Sequence, residues 1–142
     1  MRYMIIVKAT RDSEAGVMPG EDMLAKMAVY HEELAAAGVL VDASGLHPSA
    51  KGWRVEFRGQ HTNVIDGPFA ETKELIAGFT IIRADSEQEA REWTLRFPKP
   101  SLEGSDCHIE VRRIFELDEF GQSDAVERFR RIPGNGRSSS GA

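Results

Sequence analysis

The chain opens on an apolar run, Tyr3-Met4-Ile5-Ile6-Val7, and residues 3–9 read as a central strand. Residues 10–20 contain Gly16, Pro19 and Gly20 and read as a loop. From Glu21 to Ala37 the period changes. Met23, Met27, Tyr30, Leu34 and Ala37 recur at spacings of four, three, four and three, which is one stripe of an α-helix. Glu21 and Asp22 suit its first turn, where the helix dipole favours acids, and Gly38 suits its end. Val39-Leu40-Val41 starts a second strand, which Gly45 and Pro48 close. Trp53 to Arg58 alternates apolar and charged residues and reads as a half-buried strand with one charged face. Gly59-Gln60-His61 reads as a hairpin turn, and Thr62 to Asp66 as the returning strand. Ala77 to Ala84 reads as a mostly buried strand. Ser86 and Glu89 have capping-box spacing at the start of a helix whose buried stripe is Ala90, Trp93 and Phe97, and Pro98 and Pro100 end it. Cys107 to Phe115 is the last strand, with Ile109 and Val111 on one side and Glu110 and Arg112 on the other. The alternation breaks at Ile114-Phe115, which predicts a bulge or an end.

Strand, helix, strand, hairpin, strand, helix, strand is an α+β order. Two helices on one face of a mostly antiparallel sheet make the ferredoxin-like, split βαβ arrangement the natural candidate. The other face of such a sheet stays open. An apolar open face needs a cover, and a second copy of the chain is the simplest one, so a homodimer through that face is expected. Residues 1–115 carry this domain. In residues 116–142 the charged stretch Glu116 to Arg131, with Phe120, Val126 and Phe129, reads as a short helix or an ordered arm, followed by a Gly- and Ser-rich tail from Gly134 that reads as mobile.

Charge narrows the partners. The 142 residues have the length of one domain, and their formal net charge is −5. That balance disfavours nucleic acid, which is bound by a clustered basic face, and a polybasic membrane surface. No apolar stretch has membrane-spanning length, and the short first strand is not a signal core, so a cytoplasmic protein is expected. Cys107 is the single cysteine, which suits a reducing compartment and a small buried hydrophobe. The four histidines lack zinc-motif spacing, there is no Cys-x-x-Cys, and Gly-x-Gly occurs only at Gly134-Asn135-Gly136. Neither a metal nor a cofactor is expected.

The candidate chemistry sits in Asp66-Gly67-Pro68-Phe69-Ala70-Glu71-Thr72-Lys73-Glu74. Gly67-Pro68 breaks regular structure between two apolar runs, so the chain turns sharply and displays carboxylates, a hydroxyl and an ammonium on a corner. Asp66 suits a general base or a ligand anchor. It equally suits an Asx turn, its carboxylate bonding its own downstream amides. Lys73, with Glu71 and Thr72, suits a ligand-binding group or the start of a short surface helix. His47, in a turn before Pro48, suits proton transfer or simple packing. The blander readings hold elsewhere: Phe69 as a core plug, Arg54 and Arg58 as a solvated face with Glu56, His31 as a solvated helix residue, His61 as an exposed turn residue.

The nine-residue corner resembles the DGPF signature of the YCII-related superfamily. Ala37-Gly38-Val39-Leu40, Gly45-Leu46-His47-Pro48-Ser49, Ala77-Gly78-Phe79 and the acidic end of the last strand, Phe115 to Gly121, are similar to the same pattern, which covers about residues 1–121. The resemblance implies a ferredoxin-like fold that pairs sheet to sheet as a dimeric α+β barrel. It also implies small-molecule chemistry, since some YCII-related proteins are enzymes, a dehydrochlorinase among them, with a His and Asp pair as catalysts. That family histidine lies early in the first helix. Here the comparable part carries Ala25, Lys26 and Met27, and His31 comes later, so the pair is not carried over. The expected activity is binding of a small molecule with cofactor-independent lyase or isomerase chemistry, His47 and Asp66 moving protons. The alternative is a non-catalytic dimeric module that binds a ligand or a regulatory partner.

Overall fold

Four antiparallel strands order the protein's core. The structure, a computed structural model, describes residues 1–101 and 104–134. The strands are β1 (Arg2–Lys8), β2 (Leu40–Gly45), β3 (Trp53–Arg58), β4 (His61–Asp66), β5 (Ile76–Arg83) and β6 (Ile109–Arg113). The helices are α1 (Arg11–Glu14), α2 (Glu21–Ala36), α3 (Glu87–Leu95) and α4 (Asp124–Arg130). One sheet has the order β2-β5-β1-β6, and β3 and β4 pair separately. Helix α2 links β1 to β2 across the place of β5, and α3 links β5 to β6 across the place of β1. This is the split βαβ, ferredoxin-like arrangement, with the β3–β4 hairpin inserted between its second and third strands.

The register decides what each sheet face carries. Tyr3 lies opposite Ile82 and Ile5 opposite both Thr80 and Val111, so these side chains share a face. On that face Tyr3, Ile5 and Ile82 join Tyr30 and Leu34 of α2, Ala90 of α3, and Val39 and Ala84 in one buried cluster. Ile5, Leu34 and Ile82 are fully buried, each worth about 1.5–3 kcal/mol of hydrophobic stabilisation. The opposite face carries Met4 beside Ile81 and Arg112, and Ile6 beside Phe79 and Glu110. Its apolar residues Met4, Ile6, Phe79 and Ile81 are only half-buried and stand outside the core cluster.

Several local expectations need correction. Residues 10–20 are not all loop: Thr10 and Ser13 cap each other reciprocally and hold the four-residue α1. A helix of one turn is too short to show a period. The last strand is only Ile109–Arg113, and Cys107 lies before it, half-buried. Strand β3 is not half-buried, because Trp53, Val55 and Phe57 are exposed. His31 is not a solvated helix histidine. Its Nδ1 lies 2.7 Å from the Met27 carbonyl and its Nε2 2.8 Å from the Thr80 hydroxyl, which bolts α2 to β5. The carbonyl can only accept, so Nδ1 carries a proton toward it, and Nε2 shares a hydrogen bond with the Thr80 hydroxyl. The short helix expected after residue 116 is present as α4, after a 3-10 turn at Leu117–Phe120, and a bidentate Arg2–Glu116 pair ties the segment to β1. The tail read as mobile falls, from residue 135 on, outside the described residues.

Candidate functional site

Strand β4 ends at Asp66, and the chain turns through a cis Gly67–Pro68 peptide and a 3-10 turn at Thr72–Glu74 before entering β5. Main-chain bonds and one hydroxyl clamp this corner. The Gly67 amide donates to the Gly52 carbonyl at 2.9 Å, and the Phe69 amide donates to Ser49 Oγ at 3.0 Å. Ser49 in turn is held by Glu14 at the end of α1. Its amide donates to Glu14 Oε2 at 2.9 Å and its hydroxyl donates to Glu14 Oε1. The approach at Gly67 is so close that a Cβ there would lie 1.9 Å from the Ser49 carbonyl oxygen, which is why the position is glycine. Neighbouring ladder bonds, Ala9 amide to Leu75 carbonyl at 2.9 Å and Leu46 amide to Ala77 carbonyl at 2.8 Å, fix the same end of the sheet. Three distant segments thus meet: residues 10–14, 47–52 and 66–75.

The corner's backbone is spent on this clamp, and its polar side chains are not. Asp66, Glu71, Lys73 and His47 are exposed and Thr72 is half-buried. Among the described residues no side-chain hydrogen bond or ion pair of these five is formed. The Asx turn considered for Asp66 is therefore absent: Pro68 has no amide to offer, and the Gly67 and Phe69 amides go to Gly52 and Ser49. The clamp joins the segments that carry His47 and Asp66, and no hydrogen bond or ion pair links the two side chains. Phe69 is not a core plug. It is half-buried with the Arg54 guanidinium 3.8 Å above its ring, so Arg54 is not merely solvated either. Arg58 does pair with Glu56 at 2.8 Å.

Two functional-looking residues escaped the sequence reading, Ser49 and Glu14. Ser49 stands in a quoted motif, but nothing in its spacing announces a partner 35 positions upstream. Glu14 lies in a helix the periodicity did not reveal. The Ser49 hydroxyl gives its proton to a carboxylate and accepts an amide, which makes it a fastener between segments.

Two grooves lie away from the corner. One of about 640 Å³ runs between α3 and the β1–β6 edge, lined by Tyr3, Ser86, Arg91 and Arg113 among others. A shallower one of about 410 Å³ lies on α2 and its neighbours, at Lys26, Tyr30, Glu33 and Arg96. Among the described residues no group of three or more His, Cys, Asp or Glu side chains is placed to hold a metal ion, and no helix is long and apolar enough to cross a membrane.

Comparison with known proteins adds three findings. No curated protein sequence matches the chain. Among solved structures it is similar to the 5-chloro-2-hydroxyhydroquinone dehydrochlorinase of Burkholderia phenoliruptrix AC1100, solved in complex with 2,5-dihydroxybenzoquinone. The identity is 19% and the TM-score 0.43, over 82% of this chain and 95% of that one. The family model of the YCII-related domain matches residues 1–127. The chain therefore belongs to the YCII-related domain family.

Proposed function

We propose that the corner from Asp66 to Glu74 is a small-molecule site and that the protein is a cofactor-independent acid–base catalyst of lyase or isomerase type. Asp66 and His47 exchange protons with the substrate. Lys73 holds its anionic or polar group, with Glu71 and Thr72 beside it. Two copies associate through the open sheet face and give the corner its second wall, in a cytoplasmic protein with no nucleic-acid or membrane partner. One observation carries the reading: the backbone of the corner is rigidly clamped while its titratable side chains form no bonds of their own among the described residues. A group held in place but left unpaired can serve a ligand without first breaking an internal bond. Lyase and isomerase steps need only such positioned groups.

A thermal-shift screen of small polar and aromatic metabolites supplies the ligand, because binding to the folded state alone raises apparent stability. On any substrate so found, His47→Ala and Asp66→Ala should each lower kcat by about 10²–10⁴. Unchanged turnover in the double variant refutes the assignment.

The second reading is a non-catalytic dimeric module for a ligand or regulatory partner. It is favoured by the position of the two grooves, neither of which includes a corner residue. A ligand that binds without being transformed, and whose affinity responds to Lys73→Ala but not to His47→Ala, selects it.

A further inference from the structure

The β3–β4 hairpin forms its own two-stranded sheet, and every strand residue except Glu56 is exposed. Its two faces differ sharply. Ladder pairing sets Trp53 opposite Asp66, Val55 opposite Val64 and Phe57 opposite Thr62, so these six share one face. Arg54, Glu56, Arg58, His61, Asn63 and Ile65 share the other. The polar face is satisfied: Arg58 pairs with Glu56, and Arg54 lies on Phe69. The apolar face is not. Trp53 is 65% exposed, Val55 46%, Phe57 77% and Val64 66%. An isolated two-stranded ribbon is marginal in water, and an apolar one with free edges invites association.

The chain itself offers a matching surface. The open sheet face presents Met4, Ile6, Phe79 and Ile81, and its rim carries Arg2, Arg83 and Arg112 against Asp42 and Glu110. Arg2 pairs with Glu116 and Arg112 with Glu110, so the rim is largely charge-compensated and the match is of apolar surface to apolar surface. Area points the same way. Buried aromatic side chains cover about 150–250 Å² each, so Trp53 and Phe57 together leave on the order of 200–350 Å² uncovered, before the valines are added. A stable interface takes about 800 Å² from each partner. The arm's aromatic pair alone falls short of that scale, and the half-buried Met4, Ile6, Phe79 and Ile81 of the sheet face are the apolar surface the chain offers to extend it.

We propose that the β3–β4 hairpin is an interface arm: its Trp53–Val55–Phe57–Val64 face packs on a second copy of this chain and places Asp66 of each subunit at the junction with the other. The site at the corner is then composite and incomplete in a single subunit. This rests on the proposed role of Asp66 and on the dimer; its test separates the arm from the dimer and does not depend on turnover, so it does not fail with the catalytic reading. In a Trp93→Phe background Trp53 is the only tryptophan. Its emission maximum and acrylamide quenching are read across a dilution series alongside sedimentation velocity. The arm predicts a dimer with shielded, blue-shifted Trp53, and exposure of Trp53 as the dimer dissociates. Phe57→Asp, at a side chain already exposed in the subunit, should weaken the dimer at least tenfold and expose Trp53 while the far-UV circular dichroism stays unchanged. A dimer with freely quenched Trp53 that ignores Phe57→Asp overturns the arm and leaves the sheet-to-sheet dimer standing. A folded monomer at every concentration overturns both. Shielding of Trp53 that follows added lipid vesicles, and not protein concentration, assigns the arm to another partner and also overturns the proposal.

Discussion

Gly67→Ala tests the clamp that holds the candidate site. The added Cβ would lie 1.9 Å from the Ser49 carbonyl oxygen, 2.7 Å from its carbon and 3.3 Å from the Gly52 oxygen. All three are backbone atoms, so no side chain can swing aside. Ordinary contact requires the two segments to part by about 1.5 Å. Two hydrogen bonds bridge that gap, Gly67 amide to Gly52 carbonyl at 2.9 Å and Phe69 amide to Ser49 Oγ at 3.0 Å, and neither survives such a shift. Their loss costs about 0.5–1.5 kcal/mol each. Steric strain adds about 1–3 kcal/mol. The variant should lose roughly 2–6 kcal/mol, and with a urea m-value of about 2 kcal/mol/M the midpoint falls by about 1–3 M. Gly45→Ala is the control, since a Cβ there meets nothing within 4 Å, and it should stay within about 1 kcal/mol of the parent. A thermodynamic cycle sharpens the test. Ser49→Ala should cost far less in the Gly67→Ala background than alone, because the clamp is already open. A Gly67→Ala midpoint within 0.3 M (about 0.6 kcal/mol) of the parent refutes the clamp and, with it, the rigid corner.

Other outcomes follow from single contacts. Burial pushes the Tyr30 phenol up to about 12, opposed by Arg96 and aided by Glu33. The folded state keeps this proton where the unfolded chain gives it up, so the contribution is complete below pH 10 and disappears between pH 10 and about 12; Tyr30→Phe should remove that part of the alkaline decline in urea midpoint. Tyr30→Phe also deletes the hydroxyl's 2.8 Å bond to the Trp93 carbonyl, costing about 1 kcal/mol at pH 7. His31→Ala should cost about 1–3 kcal/mol, and a double-mutant cycle with Thr80→Val should show coupling of about 0.5–1.5 kcal/mol; purely additive losses rule out the bolt between α2 and β5. Glu116→Gln weakens the half-buried bidentate pair with Arg2 and should lower stability by about 1 kcal/mol, less at high salt, as measured by denaturation at two ionic strengths.

Much of this molecule was written locally. The stripe Met23, Met27, Tyr30, Leu34 placed α2, the apolar run Tyr3–Val7 and the alternation in Trp53–Arg58 placed β1 and β3, and Gly38, Ser86 and Gly59 marked a helix end, a helix start and a turn. Those signals need only neighbours a few residues apart, so one chain suffices to read them. Their order and the covered length between strands also limited the sheet to the split βαβ family of topologies.

What the chain could not declare was which face each pattern would find. The alternation of β3 looked like a strand half-buried in its own subunit, yet period two names two faces without naming what lies against either, and here the apolar one is bare. His31 follows the helical stripe by one position and looked solvated, until α2 docked on β5 and set Thr80 against it. Glu14, Ser49, Gly67 and Phe69 span more than fifty positions, and their meeting depends on distances that only the closed fold fixes. Local sequence determined the elements because propensity and periodicity act through adjacent residues. The tertiary structure alone decided the clamp, the free carboxylate of Asp66 and the exposed arm, because hydrogen bonding and burial are properties of what the fold brings close.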